Sequence, residues 1–136
     1  MGQNGTIVQS FYAAMGRGDI PAAFGLLAPD IVWNEAENFL YADKNPYVGM
    51  DAVLGGLFAR LAAEWEGFSA VPESIIDGGD TVVALGRYGG VYKATGAKVN
   101  AQFVHVFWVK DGKVARFQQY TDTAQFKEAA ARRAGA

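Results

Sequence analysis

Glu35 and His105 are the two residues whose types and spacing best suit proton chemistry. Residues 31–35 read as a short strand. Period two puts Ile31, Trp33 and Glu35 on one face, with Val32 and Asn34 on the other. A carboxylate beside an indole on an apolar face loses solvation, so its pKa rises and it can take a proton near neutral pH. The alternative is a strand-end carboxylate that is solvated or paired with an arginine. His105 is the chain's only imidazole. It shares a face with Ala101, Phe103 and Phe107, while Gln102, Val104, Val106 and Trp108 face the other way. A histidine there either donates a hydrogen bond to a carbonyl or shuttles a proton, or it is a core histidine bonded to a neighbour. Gln119 and Thr121 share a face with Ala115 and Phe117 and could offer polar groups to the same interior. Tyr12, Trp33, Tyr41, Tyr47, Phe58, Trp65, Phe103, Phe107 and Phe117 are candidates for aromatic core or pocket lining, since ligand sites are mostly apolar with few polar groups.

Other chemistries are excluded by what the chain lacks. With no cysteine it has no disulfide framework, thiol nucleophile or thiolate metal site. One histidine and no ligand cluster at zinc-like spacing leave no metal site, and no cofactor is implied. The formal net charge of -2 gives no basic field for nucleic acid, and no basic amphipathic helix points to a membrane surface. No apolar run approaches the roughly 20 residues of a membrane helix. Residues 1–5 lack the pattern of a signal peptide, so a cytoplasmic location is expected.

The elements that must position these residues follow from periodicity. Ile7, Val8, Phe11, Tyr12 and Met15 recur at helical spacing, with Asn4 or Thr6 as the expected cap. Asp19 is expected to cap a second short helix with Pro21 in its first turn, a buried face of Phe24, Leu26 and Leu27, and an end at residues 28–30. After the strand at 31–35 comes a long loop, 36–49. Asp51 is expected to cap a third helix whose stripe is Val53, Leu54, Leu57, Phe58, Leu61 and Trp65. Four strands follow, at 68–76, 81–93, 98–110 and 113–120, joined by Gly-containing turns. Asp122 and Gln125 have the spacing of a capping box for a last helix reaching about Arg133, with Lys127, Arg132 and Arg133 towards its C-terminal end. This order predicts a single α+β domain over residues 1–136. Three N-terminal helices pack in a strongly curved antiparallel sheet, and a short C-terminal helix closes it.

Five segments in this order and spacing carry a resemblance: FYAAMGRGDI (11–20), LAPDIVWNE (27–35), GMDAV (49–53), VHVFWVKDGKV (104–114) and QYTD (119–122). From about Ile7 to about Glu128 the chain resembles the SnoaL-like and ketosteroid-isomerase-related branch of the nuclear transport factor 2-like superfamily. The resemblance implies a cone-shaped (cystatin-like) fold, an apolar pocket in the cone, and a homodimer through the outer sheet face, where Val104, Val106 and Trp108 would be left uncovered. It places Glu35 at the position of the general-base aspartate of ketosteroid isomerases. It places His105 at the position of the neutral aspartic acid in their oxyanion hole. In SnoaL-like cyclases a carboxylate near the end of the last strand can act as acid or base, so Asp122 is either that group or a helix cap.

Two features depart from the family pattern. The oxyanion tyrosine of the isomerases falls near Phe11, and Tyr12 lies about 100° further round the helix. The Arg-x-Asp pattern of epoxide hydrolase relatives is missing, because Gly89 stands two residues after Arg87. The expected function is therefore acid–base proton transfer beside a carbonyl, of isomerase, lyase or cyclase type, on a small apolar substrate. Glu35, His105 and Asp122 are the catalytic candidates. Tyr12, Trp33, Phe58, Phe103, Phe107, Phe117 and Gln119 are the substrate-binding candidates. The alternatives are a binding module for a small apolar ligand and a structural dimerisation domain.

Overall fold

Helix α1 (Gln3–Gly16) opens the fold with Val8, Phe11 and Tyr12 buried along one side. The computed structural model describes residues 2–131. Neither Asn4 nor Thr6 caps this helix, since both lie inside its first turn. Its Gly5 N–H is instead taken by Asp77 Oδ2 at 2.9 Å, from the distant end of a strand. Asn4 adds a bond to the Gly79 carbonyl at 2.9 Å. Asp19 does cap α2 (Ile20–Phe24), accepting from the Ala22 N–H at 3.2 Å, with Pro21 where its missing N–H costs nothing.

Helix α2 stops earlier than its apolar residues suggest, because Leu27 already belongs to β1 (Leu27–Asn34). Strand β1 runs parallel to β6 (Lys113–Thr121), so the sheet is mixed rather than wholly antiparallel. Four residues of β1 lie between Leu27 and Val32, whereas one residue of its partner lies between Val114 and Arg116. Pro29 sits in that irregular stretch, where its lack of an N–H breaks no ladder bond. The expected loop 36–49 contains a 3₁₀ turn (Ala42–Lys44) and a two-residue strand, β2 (Tyr47–Val48), antiparallel to β1.

Residues 50–64 are one helical stretch: α3 (Met50–Val53), a π-helical turn (Leu54–Phe58) and α4 (Ala59–Glu64). Asp51 is not its cap. Gly49 holds that place at φ 89°, a conformation that suits glycine, and Asp51 lies in the first turn. Leu54 is 43% exposed, and Trp65 belongs to β3 (Trp65–Asp77), which begins three residues earlier than expected. Strands β4 (Thr81–Tyr92) and β5 (Lys98–Lys110) complete an antiparallel meander with β3 and β6. Helix α5 (Thr123–Ala131) follows. Arg132 and Arg133 lie outside the described residues.

The sheet order is β2-β1-β6-β5-β4-β3. Register shifts in β3 and β5 let it curve around the helices. At Gly86 a Cβ would stand 2.2 Å from the Val71 carbonyl and 2.6 Å from the Phe103 ring, so only glycine allows that approach. The inner face carries Ile31, Trp33, Val82, Ala84, Phe103, Phe107 and Phe117, all buried. No helix among the described residues is long and apolar enough to cross a membrane.

Candidate active site

Strand alternation delivers His105 to the inner face as its pattern predicted, and Glu35 is buried too although β1 ends one residue before it; each is 5% exposed. His105 lies on β5 under the Phe103 ring, with centroids 4.0 Å apart, and Phe117 meets its plane edge-on at 4.8 Å. Two tyrosine hydroxyls hold its nitrogens. Tyr12 Oη, from α1, is 2.5 Å from Nδ1, and Tyr88 Oη, from β4, is 2.5 Å from Nε2. Burial lowers the His105 pKa to about 3, so the ring is neutral at physiological pH. Burial also raises both tyrosines, and at Tyr88 the nearby charge of Glu35 raises it further.

Gln119 of β6 fixes one end of this chain. Its Oε1 accepts from the Ala36 N–H at 3.0 Å, so its amide nitrogen must be the atom facing Tyr88, donating at 2.9 Å. The hydrogens can then be counted. Two tyrosine hydroxyls and one neutral imidazole carry three hydrogens between them, but the two Tyr–His contacts use only two. One hydroxyl hydrogen is therefore left over. A hydroxyl that already accepts is the better donor, so the favoured order runs Gln119 to Tyr88 to Nε2, then Nδ1–H to Tyr12. The spare hydrogen is then that of Tyr12.

Glu35 sits where β1 gives way to the following loop. Asn45 braces its backbone from both sides: Oδ1 accepts from the Glu35 N–H at 2.9 Å, and Nδ2 donates to the Glu35 carbonyl at 2.8 Å. Burial pushes the carboxyl up to about 8. The Trp33 indole N–H, which leans towards it, and the more distant Arg60 guanidinium offset part of that rise. Arg60 is itself committed to Asp43, Tyr47 and the Gly56 carbonyl. It thereby fastens the loop that carries Glu37 to Asn45 against α4. The Tyr41 hydroxyl, bonded to Glu64 and to the Trp65 indole, strengthens the same attachment.

The structure changes the expected constellation in three ways. Tyr12 does reach the site, because the 100° offset from Phe11 directs it to the imidazole while Phe11 packs on Trp33 and Phe107. Asp122 does not: it is exposed and accepts a bond from the Gln125 side chain at 3.0 Å. Tyr88 was not anticipated, although the buried alternation Val82, Ala84, Gly86, Tyr88 along β4 carries the signal.

The rings expected to line an apolar pocket pack on one another instead. Trp33 stacks on Phe117 at 3.7 Å, Phe58 meets Trp33 edge-on at 5.7 Å, and Phe107 contacts Phe117 at 5.2 Å. A cleft of about 620 Å³ opens at the surface beside Glu35, lined also by Asn34, Asn38, Asn45, Gln118 and Thr121. A second, of about 290 Å³, lies around Arg87 and Asn100. Among the described residues no group of three or more His, Asp and Glu could hold a metal ion.

Comparison with known proteins agrees with this architecture. A family profile described as SnoaL-like domain matches residues 8–117. The crystal structure of an NTF2-like protein from Burkholderia thailandensis superposes with a TM-score of 0.90 at 36% identity, covering 96% of this chain and 98% of that one. An NTF2-like protein of unknown function from Burkholderia pseudomallei gives 0.87 at 25% identity, covering 96% and 99%. TerC, co-crystallised with polyporic acid, gives 0.83 at 25% identity, covering 94% and 98%. No curated protein matches the sequence.

Proposed function

The chain belongs to the SnoaL-like domain family of the nuclear transport factor 2-like superfamily, and from that premise we propose that it catalyses proton transfer beside a carbonyl without a cofactor. Glu35 is the base and the tyrosine–histidine relay is the oxyanion donor. The observation that carries this reading is a largely buried carboxyl whose charge reaches Tyr88 of a neutral relay holding one unspent hydroxyl hydrogen. With a midpoint of about 8, Glu35 is about one-tenth ionised at pH 7, which keeps an acid and a base form both available. Ionised Glu35 removes a proton from the carbon next to the carbonyl. The electron pair moves onto the carbonyl oxygen, which receives the spare hydrogen bond. Return of the proton from Glu35 to another carbon gives isomerisation; loss of a group or attack by the carbanion gives elimination or ring closure.

The substrate class of this proposal is the one the family resemblance implies: a small molecule with a ring-shaped apolar body and a ketone, reaching Glu35 by the cleft beside it. TerC with polyporic acid supports a ligand of that size in a relative of this shape. The test is hydrogen–deuterium exchange into a panel of cyclic ketones, with polyporic acid as an added probe. Exchange that Glu35→Gln abolishes supports the proposal; exchange untouched by that change refutes Glu35 as base.

A second reading is favoured by one observation. Trp33, Phe58, Phe107 and Phe117 fill the space a bound molecule would take. On that reading the domain is structural and pairs with a second copy, without chemistry. A dimer in solution, with neither binding nor exchange for any panel member, would favour it.

A further inference from the structure

Among the described residues, the Trp33 indole nitrogen is the one buried side-chain polar atom without a hydrogen-bond partner. Its ring is not free to turn. It lies 3.7 Å from Phe117 at 20° between planes, with Phe58 at 5.7 Å and Phe11 at 6.3 Å closing other sides. Glu35 follows two residues later, just past the end of β1, and the indole N–H leans towards its carboxyl. Its backbone is bonded to Asn45, but among the described residues no donor is bonded to its carboxyl. A buried donor without an acceptor therefore lies near a carboxyl that is 5% exposed at the edge of the cleft and accepts no bond, and the unpaired indole N–H is costly unless one state of the site unites them.

We infer that Trp33 is a positioning residue for Glu35: the carboxylate turns onto the fixed indole N–H when Glu35 ionises and leaves it when Glu35 is neutral. The inference rests on the reading of Glu35 as base, although it concerns only the proton affinity and aim of that carboxyl. The bond favours the charged form and holds the oxygen opposite free to take the substrate proton. The other titratable groups that sense Glu35 are Arg60 on α4, Tyr47 on β2 and Tyr88 on β4. Arg60 is spent on Asp43, Tyr47 and Gly56, and Tyr88 on His105 and Gln119. That leaves Trp33 as the donor with capacity to spare.

The test needs no substrate, so it stands apart from the exchange assay. Unfolding free energies are measured from pH 5 to 9 for the unaltered protein, Trp33→Phe, Glu35→Gln and the double variant. Loss of a hydrogen bond to a charged group should raise the Glu35 midpoint by about one pH unit or more. The cost of Trp33→Phe should therefore grow with pH when Glu35 is present and be constant when Gln replaces it. A cost that is the same at every pH in both backgrounds overturns the inference, because lost packing alone behaves that way. If Trp33→Phe does not fold, the indole ¹H–¹⁵N resonance of the unaltered protein decides, assigned by elimination with Trp65→Phe and Trp108→Phe. Movement of the Trp33 signal through the Glu35 midpoint supports the inference, and a Trp33 signal that stays fixed while Glu35 titrates sinks it.

Discussion

Replacing Glu35 by Gln keeps the outline of the side chain and removes its titrating proton. The folded carboxyl has its midpoint at about 8, against an ordinary value of 4.5, because burial disfavours the charge. A raised midpoint means that the folded protein holds this proton more tightly than the unfolded chain does. The stability tied to it is complete below pH 4.5 and drains away as pH rises towards 8. The two midpoints differ by about 3.5, and each pH unit is worth about 1.4 kcal/mol, so the full loss is about 5 kcal/mol above pH 8 and about 3 kcal/mol at pH 7. Urea unfolding followed by the fluorescence of buried Trp33 and Trp65 measures it. The stability of Glu35→Gln minus that of the unaltered protein should be flat below about pH 4.5, climb by several kcal/mol, and level off past pH 8. A difference that stays constant from pH 5 to 9 refutes the claim that this carboxyl is dry, and with it the reasoning that makes Glu35 a base.

His105 should shape the acid side in the opposite sense. Its midpoint is lowered to about 3 from 6.5, so stability is lost as pH falls below 6.5, and His105→Gln should remove that limb of the curve. Tyr12→Phe should slow any detected exchange about a hundredfold if Tyr12 holds the spare hydrogen, as loss of one oxyanion donor does elsewhere, and ¹⁵N shifts of His105 should show the Nδ1–H tautomer. Tyr88→Phe should destabilise the fold by about 1–3 kcal/mol, since it strands both the Gln119 amide and His105 Nε2 in the dry interior; thermal unfolding at pH 6 reads it. We further propose that the protein pairs through its outer sheet face. There Leu85, Val104 and Tyr120 share one cross-strand row, Val83 and Val106 the next, and Leu85 and Tyr120 are 38% and 56% exposed. Light scattering at micromolar concentration should give twice the chain mass, and a monomer would overturn it.

Period-two and helical patterns made most of this legible, because they report burial directly. The strands from 81 onward match their expected bounds to within a residue, and His105 falls on the inner face as read. What failed had non-local causes. The cap of α1 is Asp77, 72 positions away from the N–H it accepts, and no local pattern announces it. The parallel pairing of β1 with β6 and the strand character of Leu27 depend on where the chain returns, not on residues near Pro29. Asp122 has the spacing of a capping residue and the position of an acid, yet its strand ends before it can turn inward. Tyr88 does not stand out in the sequence although its alternation is regular, because glycines at 86, 89 and 90 dilute the apolar pattern around it.

The two candidate groups are neutral for opposite reasons, and that bears on which reading of the site is stronger. Glu35 keeps its proton and His105 refuses one, so between about pH 4.5 and 6.5 the pH slopes they impose on stability are opposite and nearly cancel. Below that window His105 lowers stability as pH falls, and above it Glu35 lowers stability as pH rises. Apolar side chains of similar volume would fill both places, His105's beside Phe103 and Phe117 included, without either loss, since buried polar groups rarely out-stabilise packed hydrocarbon. Packing alone therefore gives no reason for an imidazole and two hydroxyls to be bonded together in the interior, with a buried carboxyl whose charge Tyr88 senses. The proton transfer proposed above uses all three kinds of group, in these charge states, and one hydrogen unspent. The hydrogen count supplies that remainder whichever tautomer His105 adopts, because moving the imidazole proton only transfers the spare donor from Tyr12 to Tyr88.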